Sequence, residues 1–510
     1  MQLPQLLRGI EVIGITGDPN GEVVSVCYDS RQCRKGGLFA AIPGFKTNGH
    51  GFIPDALARG ARFIIHEGEF VPPSGITAIR VPDSRRALGL LGKNFFGNPS
   101  ARICLVGVMG TNGKTTVSYL LEAIFKAAGF PVGVLGTVNY RYGETTLPAP
   151  NTTPESFELQ RILREMADHG ITHVIAEVSS HAVAMRRIDD CSFDLGIFTN
   201  LTQDHLDYHV TMENYFQAKK RFFSEVLPAG KSIHPRKMIV NTDDAWGRRI
   251  LEEVQGGRIT YGLETQADIT ASPFRLSLDG IEATLRLESE CIATASPLMG
   301  RFNLYNILSA SAAAHALGLA GRVIREGIAA LACVPGRLEK VGGAGGPAIF
   351  VDYAHTEDAL RRVIESLSAF KRGRLFTVFG CGGDRDRGKR PRMGDAATTL
   401  GDVTIVTSDN PRTEDPLEII REIEAGIRVP KFTTARDPSS HRNERGYLVI
   451  PDRAEAICAA ISMAEPTDIV LIAGKGHEDY QIVGARRLPF DDRIIARQAL
   501  AQLEKGRDGS

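Results

Sequence analysis

The sequence lacks an excess of charge of either sign. Its 510 residues include 60 Lys or Arg and 60 Asp or Glu side chains, so the formal net charge at pH 7 is zero. A chain with this balance has no overall field that would recruit nucleic acid or an anionic membrane surface. We therefore expect no nucleic-acid partner, and any recognition must depend on local groups of charge.

Closely spaced cysteines are also missing. No two of the eight cysteines form a Cys-x-x-Cys pair, and they are scattered over the chain at Cys27, Cys33, Cys104, Cys191, Cys291, Cys333, Cys381 and Cys458. Several lie in apolar runs, which is typical of buried free thiols. This usage predicts a protein of the reducing cytoplasm.

We expect neither a signal peptide nor a membrane span in this sequence. The first residues, MQLPQLLRGIEVIG, have no basic start, no long apolar stretch and no small-residue cleavage site. The longest uncharged run, residues 302–321, carries Asn303, Asn306 and His315 among its alanines, which favours a buried helix over a membrane span. No internal repeat or low-complexity segment is present.

A chain of this length predicts about three domains. Residues 1–98 alternate short apolar runs with turns and predict a small α/β domain. In residues 99–334, apolar strands separated by helical stretches predict a parallel sheet flanked by helices. Residues 335–510 follow a shift to glycine and charge, and contain four further apolar strands that end in glycine or polar residues. Ligands of such sheets bind where the carboxyl ends of the strands meet these loops.

The stretch GVMGTNGKTT, residues 107–116, resembles a phosphate-binding loop with one extra residue between Gly107 and Gly113. It lies between an apolar strand and a stretch with helical spacing. Backbone N–H groups and the helix N-terminus would meet a phosphate, Lys114 would add a charge, and Thr115 could bind Mg²⁺. We expect Lys114 to be exposed in this loop. The alternative is a glycine-rich turn with an incidental lysine.

Two more candidate residues follow predicted strands. Glu177 closes the run THVIAE, and His205 lies in the loop after GIFTN. A carboxylate and an imidazole at adjacent strand ends could hold a second divalent ion against a phosphoryl group. Alternatively, Glu177 is a capping or surface carboxylate and His205 is a solvated loop histidine.

Seven motifs occur in a fixed order: GTNGKTT (110–116), EVSSHA (177–182), TNLTQDHLDYH (199–209), YFQAKKRFF (215–223), GRFNLYN (300–306), VPGRLE (334–339) and VDYAHT (351–356). Together they resemble the Mur ligases, the ATP-dependent enzymes that build the peptide of the bacterial cell-wall precursor. That family shares the longer loop spacing, and the resemblance covers essentially the whole chain.

The resemblance implies a UDP-sugar-binding domain, a central ATP-binding domain of P-loop type and a Rossmann-like domain for the incoming amino acid. It also implies ligation of meso-2,6-diaminopimelate to the D-Glu γ-carboxylate of UDP-N-acetylmuramoyl-L-Ala-D-Glu. ATP would first phosphorylate that carboxylate, and the amine would then attack the acyl phosphate. Because three anionic groups meet, such a site needs cations and dipoles.

The resemblance also implies site residues. The ATP contacts are Gly110, Thr111, Asn112, Gly113, Lys114, Thr115, Thr116, Asn303, Arg337 and Asp352. The Mg²⁺ ligands are Thr115, Glu177, His205 and a carbamate formed from CO₂ on Lys219, and the catalytic set is Lys114, Glu177, His205 and Lys219. The residues alone do not distinguish Lys219 from Lys220, and either could be a solvated helix lysine.

For the nucleotide sugar, the resemblance implies Tyr28, Ser30, Phe45, Lys46 and Thr47 at the uridine end, and Asn151, Thr152, Thr153, Ser179 and Arg187 at the muramoyl-dipeptide end. Without it, these motifs are ordinary caps and turns. The chain departs from the family pattern at Met185, where glutamine is frequent, and at Glu357, where proline is frequent.

For diaminopimelate, the implied contacts are Arg385, Asp409, Asn410, Pro411, Arg412, Gly474 and Glu478. Diaminopimelate differs from lysine by a second carboxylate, and Arg412 could bind it in bidentate fashion from a turn fixed by Pro411. The alternatives are the same ligase using lysine, a folylpolyglutamate synthetase, or a nucleotide switch. We expect a monomer.

Overall fold

The computed structural model describes residues 1–44, 47–230, 233–288, 290–342, 346–432 and 444–508. Three helix-flanked sheets follow one another along the chain, and a two-stranded hairpin lies near the C-terminus. The predicted three-part α/β fold is thus confirmed. The limits 1–98, 99–334 and 335–510 remain a proposal.

The first sheet has five strands in the order β1-β5-β4-β3-β2. They are β1 (Gly14–Thr16), β2 (Val26–Cys27), β3 (Leu38–Ala40), β4 (Phe63–His66) and β5 (Thr77–Arg80), with helices α1 (Leu3–Leu6), α2 (Ile53–Ala58) and α3 (Ser84–Phe95). Only β1 is antiparallel to its neighbour. Leu38 packs in one cluster with Leu88 of α3, and Phe39 in another with Ile53 of α2. Because successive strand residues point to opposite sides, the two clusters lie on opposite faces of the sheet. Each face is buried by the helix that packs against it.

The central sheet has eleven strands in the order β16-β15-β14-β13-β12-β11-β6-β10-β7-β8-β9. Their bounds are β6 (Cys104–Met109), β7 (Val132–Leu135), β8 (Asn139–Tyr142), β9 (Thr145–Pro148), β10 (His173–Val178), β11 (Leu195–Phe198), β12 (Lys237–Asn241), β13 (Gly257–Tyr261), β14 (Ile269–Ser277), β15 (Gly280–Leu287) and β16 (Glu290–Ser296). The strands from β14 to β7 are parallel. Antiparallel strands extend both edges, which the prediction of a parallel sheet had not included.

Eight helices accompany this sheet in the described part of the chain. They are α4 (Lys114–Ala127), α5 (Ser156–Asp168), α6 (Ser180–Ala184), α7 (Leu206–His209), α8 (Met212–Arg221), α9 (Ala245–Glu253), α10 (Arg301–Ala316) and α11 (Gly321–Ala330). Residues 302–316 of the uncharged run form nearly all of α10, and its serines and every alanine except Ala316 are buried. Among the described residues, no helix has the length and apolar character needed to cross a membrane.

The third sheet has the order β17-β18-β22-β19-β20-β21 and is parallel except for β17. Its strands are β17 (Glu339–Val341), β18 (Ala348–Asp352), β19 (Leu375–Phe379), β20 (Val403–Val406), β21 (Gly446–Val449) and β22 (Ile469–Ala473), and the hairpin is β23 (Tyr480–Val483) with β24 (Arg486–Pro489). The helices are α12 (Glu357–Ser368), α13 (Lys389–Leu400), α14 (Pro416–Glu424), α15 (Arg453–Met463) and α16 (Asp492–Asp508).

Strand register brings the polar loops together. Val178 at the end of β10 and Phe198 at the end of β11 both pair with Met109 at the end of β6. The loops that follow these three central strands therefore leave the sheet side by side. In the third sheet, Asp352 at the end of β18 pairs with Ala473 at the end of β22.

Candidate active site

The phosphate-binding loop is held by close contacts that only glycine permits. Gly113 has a φ of 88° and is followed by the first residue of α4. A Cβ at Gly113 would lie 2.4 Å from Asn306 Oδ1, and one at Gly110 would lie 1.8 Å from Thr199 Oγ1. The loop thus sits between the end of β11 and helix α10, with the N-terminus of α4 facing a cavity.

Lys114 differs from the prediction of an exposed loop residue. It is the first residue of α4 and is half-buried. Its Nζ donates hydrogen bonds to Gly110 O at 2.8 Å and Thr111 O at 2.9 Å. Burial lowers the pKa of Lys114 below its usual value, while the nearby Glu177 carboxylate opposes that shift. The ammonium is therefore placed at the loop where a phosphate would bind.

Glu177 is neither a surface carboxylate nor a helix cap. It lies at the end of β10 and is 1% exposed. Its carboxylate accepts hydrogen bonds from the Thr115 hydroxyl at 3.1 Å, the Thr137 hydroxyl at 2.9 Å and the Thr137 N–H at 3.1 Å. This network ties β10 to the phosphate-binding loop. Sequence reasoning missed Thr137, which no motif marks.

His205 lines the same cavity as Glu177. Its backbone has a φ of 53°, an uncommon conformation for a residue with a side chain. Its Nε2 lies 3.5 Å from Asp204 Oδ2. Desolvation lowers the pKa of His205 below its usual value. The ring is therefore neutral near pH 7, which is the form that binds metal ions.

Lys219 and Lys220 have different surroundings on α8. Lys219 is 1% exposed, and its Nζ lies 4.6 Å from the centroid of the Tyr215 ring and 4.0 Å from Met109 Sδ. Lys220 instead forms an ion pair of 2.7 Å with Glu253. Burial, together with the Lys114 charge, lowers the pKa of Lys219 well below its usual value.

A cavity of about 470 Å³ joins the central and C-terminal parts of the chain. Most of the residues predicted to contact ATP line it, namely Thr111, Asn112, Gly113, Lys114, Thr115, Thr116, Arg337 and Asp352. Arg337 Nη2 lies 3.2 Å from Thr115 Oγ1, a contact that links the two parts. Asn303 is one step removed, because it accepts a hydrogen bond of 3.0 Å from Asn306, which lines the cavity.

Several further lining residues were not predicted. They include Asp204, Asp243, Tyr305, Tyr353 and His355. Asp243 accepts hydrogen bonds from the Tyr305 hydroxyl at 2.8 Å and the Thr265 N–H at 2.8 Å, which fixes the loop after β13. The sequence could have indicated them only through their positions just after predicted strands, since Asp243 follows β12 and His355 follows β18.

The donor atoms at this cavity fit Mg²⁺. Within the described ranges, no three His, Cys, Asp or Glu side chains form a preassembled metal site. Mg²⁺ usually keeps several waters and is held by one or two carboxylates plus substrate phosphates. The Glu177 carboxylate beside the Thr115 hydroxyl meets that requirement.

The residues predicted for the muramoyl-dipeptide end lie around the end of β10. Thr153 Oγ1 donates to Glu177 O at 2.8 Å and accepts from the Ser179 N–H at 3.1 Å. Arg187 Nη1 donates to Thr153 O at 3.1 Å.

The other two residues of this group lie nearby. Thr152 Oγ1 lies 3.1 Å from Thr137 Oγ1, and Asn151 O accepts a hydrogen bond from the Tyr140 hydroxyl. Met185 follows α6, and its thioether cannot donate the hydrogen bond of a glutamine.

The residues predicted for the uridine end are placed less completely. Ser30 is buried at the start of a 3₁₀ turn that begins after Asp29. Burial, with smaller contributions from Glu158 and Glu155, raises the pKa of Tyr28 to about 12. Thr47 is exposed. Phe45 and Lys46 lie outside the described residues.

The predicted amino-acid residues meet beside the third sheet. Asn410 Nδ2 donates to Glu478 Oε2 at 2.8 Å, which connects the loops after β20 and β22. Arg412, at a φ of 53°, donates from Nη1 to Gly383 O at 2.8 Å. A Cβ at Gly382 would lie 2.8 Å from Arg412 Nη1 and 3.8 Å from Arg385 Cγ, so the two arginines flank this glycine.

Pro411 and Gly474 make the close approaches in this part. A Cβ at Gly383 would lie 1.9 Å from Pro411 O, and one at Gly474 would lie 3.0 Å from Asp409 Oδ2. Asp409 is 6% exposed. These contacts place every residue of the predicted group in one cluster.

Three family models match successive parts of the chain. "Mur ligase family, catalytic domain" matches residues 22–96, "Mur ligase middle domain" matches residues 108–314, and "Mur ligase, glutamate ligase domain" matches residues 336–476. The chain belongs to the Mur ligase family. Membership places this Mur ligase among ATP-dependent ligases.

The relatives match this Mur ligase over its full length. It is 46% identical to the UDP-N-acetylmuramoyl-L-alanyl-D-glutamate–2,6-diaminopimelate ligase of Geobacter metallireducens, with 100% of both chains covered. It is 47% identical to the enzyme of that name from Geobacter sulfurreducens, covering 99% of this chain and 100% of the other. A solved structure of a ligase of that name superposes with a TM-score of 0.69 at 33% identity, covering 99% of each chain.

Proposed function

We propose that this Mur ligase joins meso-2,6-diaminopimelate to the D-Glu γ-carboxylate of UDP-N-acetylmuramoyl-L-Ala-D-Glu in an ATP-dependent step of peptidoglycan precursor synthesis. The observation that carries the proposal is one cavity lined by the phosphate-binding loop, Glu177, His205 and the C-terminal Arg337 and Asp352. Full-length relatives at 46% and 47% identity are named for this reaction, which favours it over the folylpolyglutamate alternative.

The reaction needs activation because a carboxylate is a poor electrophile. The γ-phosphoryl group of ATP is transferred to the substrate carboxylate, which gives an acyl phosphate with phosphate as a leaving group. The amine of diaminopimelate attacks the acyl carbon, and the tetrahedral intermediate then expels phosphate. Lys114, Arg337 and the N-terminus of α4 supply positive charge where these anions meet.

Thr115, Glu177 and His205 are the residues that would hold Mg²⁺ at this cavity. When bound, the ion would neutralise phosphate charge and orient the transferring group. The Thr137 and Thr115 hydrogen bonds fix the orientation of the Glu177 carboxylate. Neutral His205 lines the same cavity.

Lys219 is proposed to be carbamylated. Its neutral amine would form an N–C bond with CO₂ and release one proton, which leaves a buried carboxylate at the end of the side chain. The burial of Lys219 supports this assignment, because an amine must lose its charge before it can attack CO₂. Lys220 lacks that feature, because it is only half-buried and forms an ion pair with Glu253.

The third part of the chain is proposed to select the amino acid. Arg412 and Arg385 flank Gly382, so two cations are available for the carboxylate that lysine lacks. Asn410 and Glu478 can receive the ammonium group beside it. A nucleotide switch would need no such cluster. A monomer in the cytoplasm, acting on these small-molecule substrates, completes the proposal.

The test follows phosphate release and the fate of oxygen. Release of phosphate from ATP should require both UDP-muramoyl-dipeptide and diaminopimelate. With ¹⁸O in the D-Glu γ-carboxylate, one labelled oxygen should appear in the phosphate, since the acyl phosphate breaks at its acyl carbon. Phosphate release when one of the two substrates is left out would contradict the proposal. Released phosphate that carries no label would also contradict it.

A further inference from the structure

One further lysine, which is fully buried, lies next to the amino-acid cluster. Lys475, in the loop after β22, has a side chain that is 0% exposed. Its Nζ donates to Glu478 Oε2 at 3.1 Å and to Asn410 Oδ1 at 3.2 Å, and lies 3.6 Å from Asp409 Oδ1. A fully buried ammonium thus links three side chains of the cluster.

We propose that Lys475 is a positioning residue that determines the specificity of the amino-acid site. The inference rests on the proposed function, because it assumes that this cluster receives the far end of diaminopimelate. Lys475 is too deeply buried to contact the substrate itself. It acts through the groups that it holds.

Lys475 fixes which way the Asn410 amide faces. Asn410 Oδ1 accepts from Lys475 Nζ and also from the Ile482 N–H at 2.9 Å, so the Nδ2 end must face Glu478. Without the lysine, one of the two donors to this oxygen is lost. The amide could then turn, and its hydrogen bond to Glu478 would no longer be fixed.

Lys475 also sets the charge of the site. Asp409 and Glu478 lie on either side of its ammonium, so the three groups carry one net negative charge. The neighbouring Arg453 cannot replace it, because Arg453 forms a bidentate ion pair with Asp492. Among the described residues, Asp409 Oδ1 is buried without a hydrogen-bond partner, and Lys475 is the cation beside it.

This charge matches the far end of diaminopimelate. That end is a zwitterion, with an ammonium group and a carboxylate on the same carbon. A single net negative charge attracts the ammonium, while the two arginines attract the carboxylate. Loss of Lys475 would leave two unbalanced carboxylates, which repel the substrate carboxylate. Lysine has no carboxylate at that end and would be repelled less.

The experiment compares Lys475→Met with Lys371→Met. Lys371 forms a 2.6 Å ion pair with Asp402 in the same part of the chain but is not in the cluster. We expect Lys475→Met to raise the KM for diaminopimelate at least about tenfold, with a smaller change in kcat. The KM values for ATP and UDP-muramoyl-dipeptide should stay within about twofold, and the preference for diaminopimelate over lysine should fall about tenfold. Lys371→Met should change none of these.

A folded Lys475→Met enzyme with an unchanged preference would overturn the inference, as would equal losses for both amino acids. If the methionine variant does not fold, the comparison is made between Lys475→Arg and Lys475→Gln. The charged arginine should then retain more of the preference than the glutamine, and the reverse order would overturn the inference. Wild-type enzyme that does not ligate diaminopimelate would contradict the proposed function itself.

Discussion

At the scale of single residues, burial separates side chains that the sequence presents as equivalent. Lys219 and Lys220 are adjacent on α8, yet one packs against Tyr215 and the other pairs with Glu253. The sequence alone left the two lysines undistinguished, because it could not reveal that Met109 Sδ from β6 lies 4.0 Å from Lys219 Nζ. That contact depends on the fold of the sheet.

Replacing Lys219 by alanine should remove most ligase activity, because no carbamate can form. Acetate or formate should restore part of the activity by supplying a carboxylate in the vacated space. The measurement is phosphate release with and without these anions. Lys220→Ala is the control and should remain active, since exposed ion pairs contribute about 0–1 kcal/mol. If Lys220→Ala is the damaging change, Lys219 is wrongly assigned.

Arg412→Ala should lose about 2–5 kcal/mol of transition-state binding for diaminopimelate, which is roughly 30-fold to several-thousand-fold in kcat/KM. The reason is the loss of the cation that pairs with the far carboxylate. Activity with lysine should fall much less, and the KM for ATP should barely change because Arg412 does not line the nucleotide cavity. Equal losses with both amino acids would mean that Arg412 shapes its loop without contacting the substrate.

The Asp190 carboxyl group is largely buried, and the nearby Lys93 charge only partly offsets the effect of burial on its pKa. Its Oδ2 is buried without a hydrogen-bond partner among the described residues, and burial raises its pKa to about 6. A carboxyl group with a raised folded-state pKa stabilises the protein fully only at low pH. That stability is lost as the pH rises from about 3.8 to about 6.

Asp190→Asn should therefore raise the free energy of unfolding by about 1–3 kcal/mol at pH 7.5. The gain should shrink toward zero below pH ~4, where the aspartic acid is neutral in both states. Denaturant unfolding at the two pH values measures the difference. Asp189→Asn is the matched control and should destabilise, because Asp189 pairs with Arg186 and Arg221. A pH-independent gain at Asp190 would contradict this account.

At the scale of elements, the sequence predicted the buried parallel strands best. Runs such as CLVGVM and IVLIA are apolar throughout because both faces of those strands are covered. The outer strands were missed for physical reasons. β15 and β16 alternate buried and exposed residues at the edge of the sheet, and β24 is exposed at every position. Such segments carry little signal for a core.

The loops at the strand ends were partly predictable. Glycine, lysine and threonine after β6 marked the phosphate-binding loop, since few other roles combine them. Lys475 gave no such signal, because a lysine between two glycines is ordinarily solvated. Only the packing of the loops after β20 and β22 shows that its ammonium is buried.

Helices α15 and α16 are joined by a buried ion pair. Arg453 and Asp492 both have side chains that are 0% exposed, and their N···O contacts are 2.7 and 2.8 Å. Asp492→Asn should cost about 3–5 kcal/mol of stability because it leaves the guanidinium charge buried and unpaired. Glu418→Gln, in the exposed pair with Arg421, should cost less than about 1 kcal/mol. Thermal unfolding of the two variants compares these losses, and equal values would refute the argument.

At the scale of the whole molecule, the active cavity depends on two parts of the chain. Arg337 contacts Thr115, and Asn112 Nδ2 donates to Asp358 Oδ2 at 3.2 Å, so α12 touches the phosphate-binding loop. The sequence predicted that Arg337 and Asp352 would enter this site, through the family resemblance. It could not give the contact with Asp358, because that contact depends on how the two sheets are placed relative to each other.

These two parts of the chain are proposed to ligate diaminopimelate together. The most direct measurement is the kcat/KM of the purified enzyme for meso-diaminopimelate and for lysine, with ATP and UDP-N-acetylmuramoyl-L-Ala-D-Glu present and the product identified by mass. We expect a diaminopimelate-containing tripeptide product and a kcat/KM at least about 30-fold above that for lysine, the lower limit expected for one buried charge pair. An equal or higher value for lysine would contradict it.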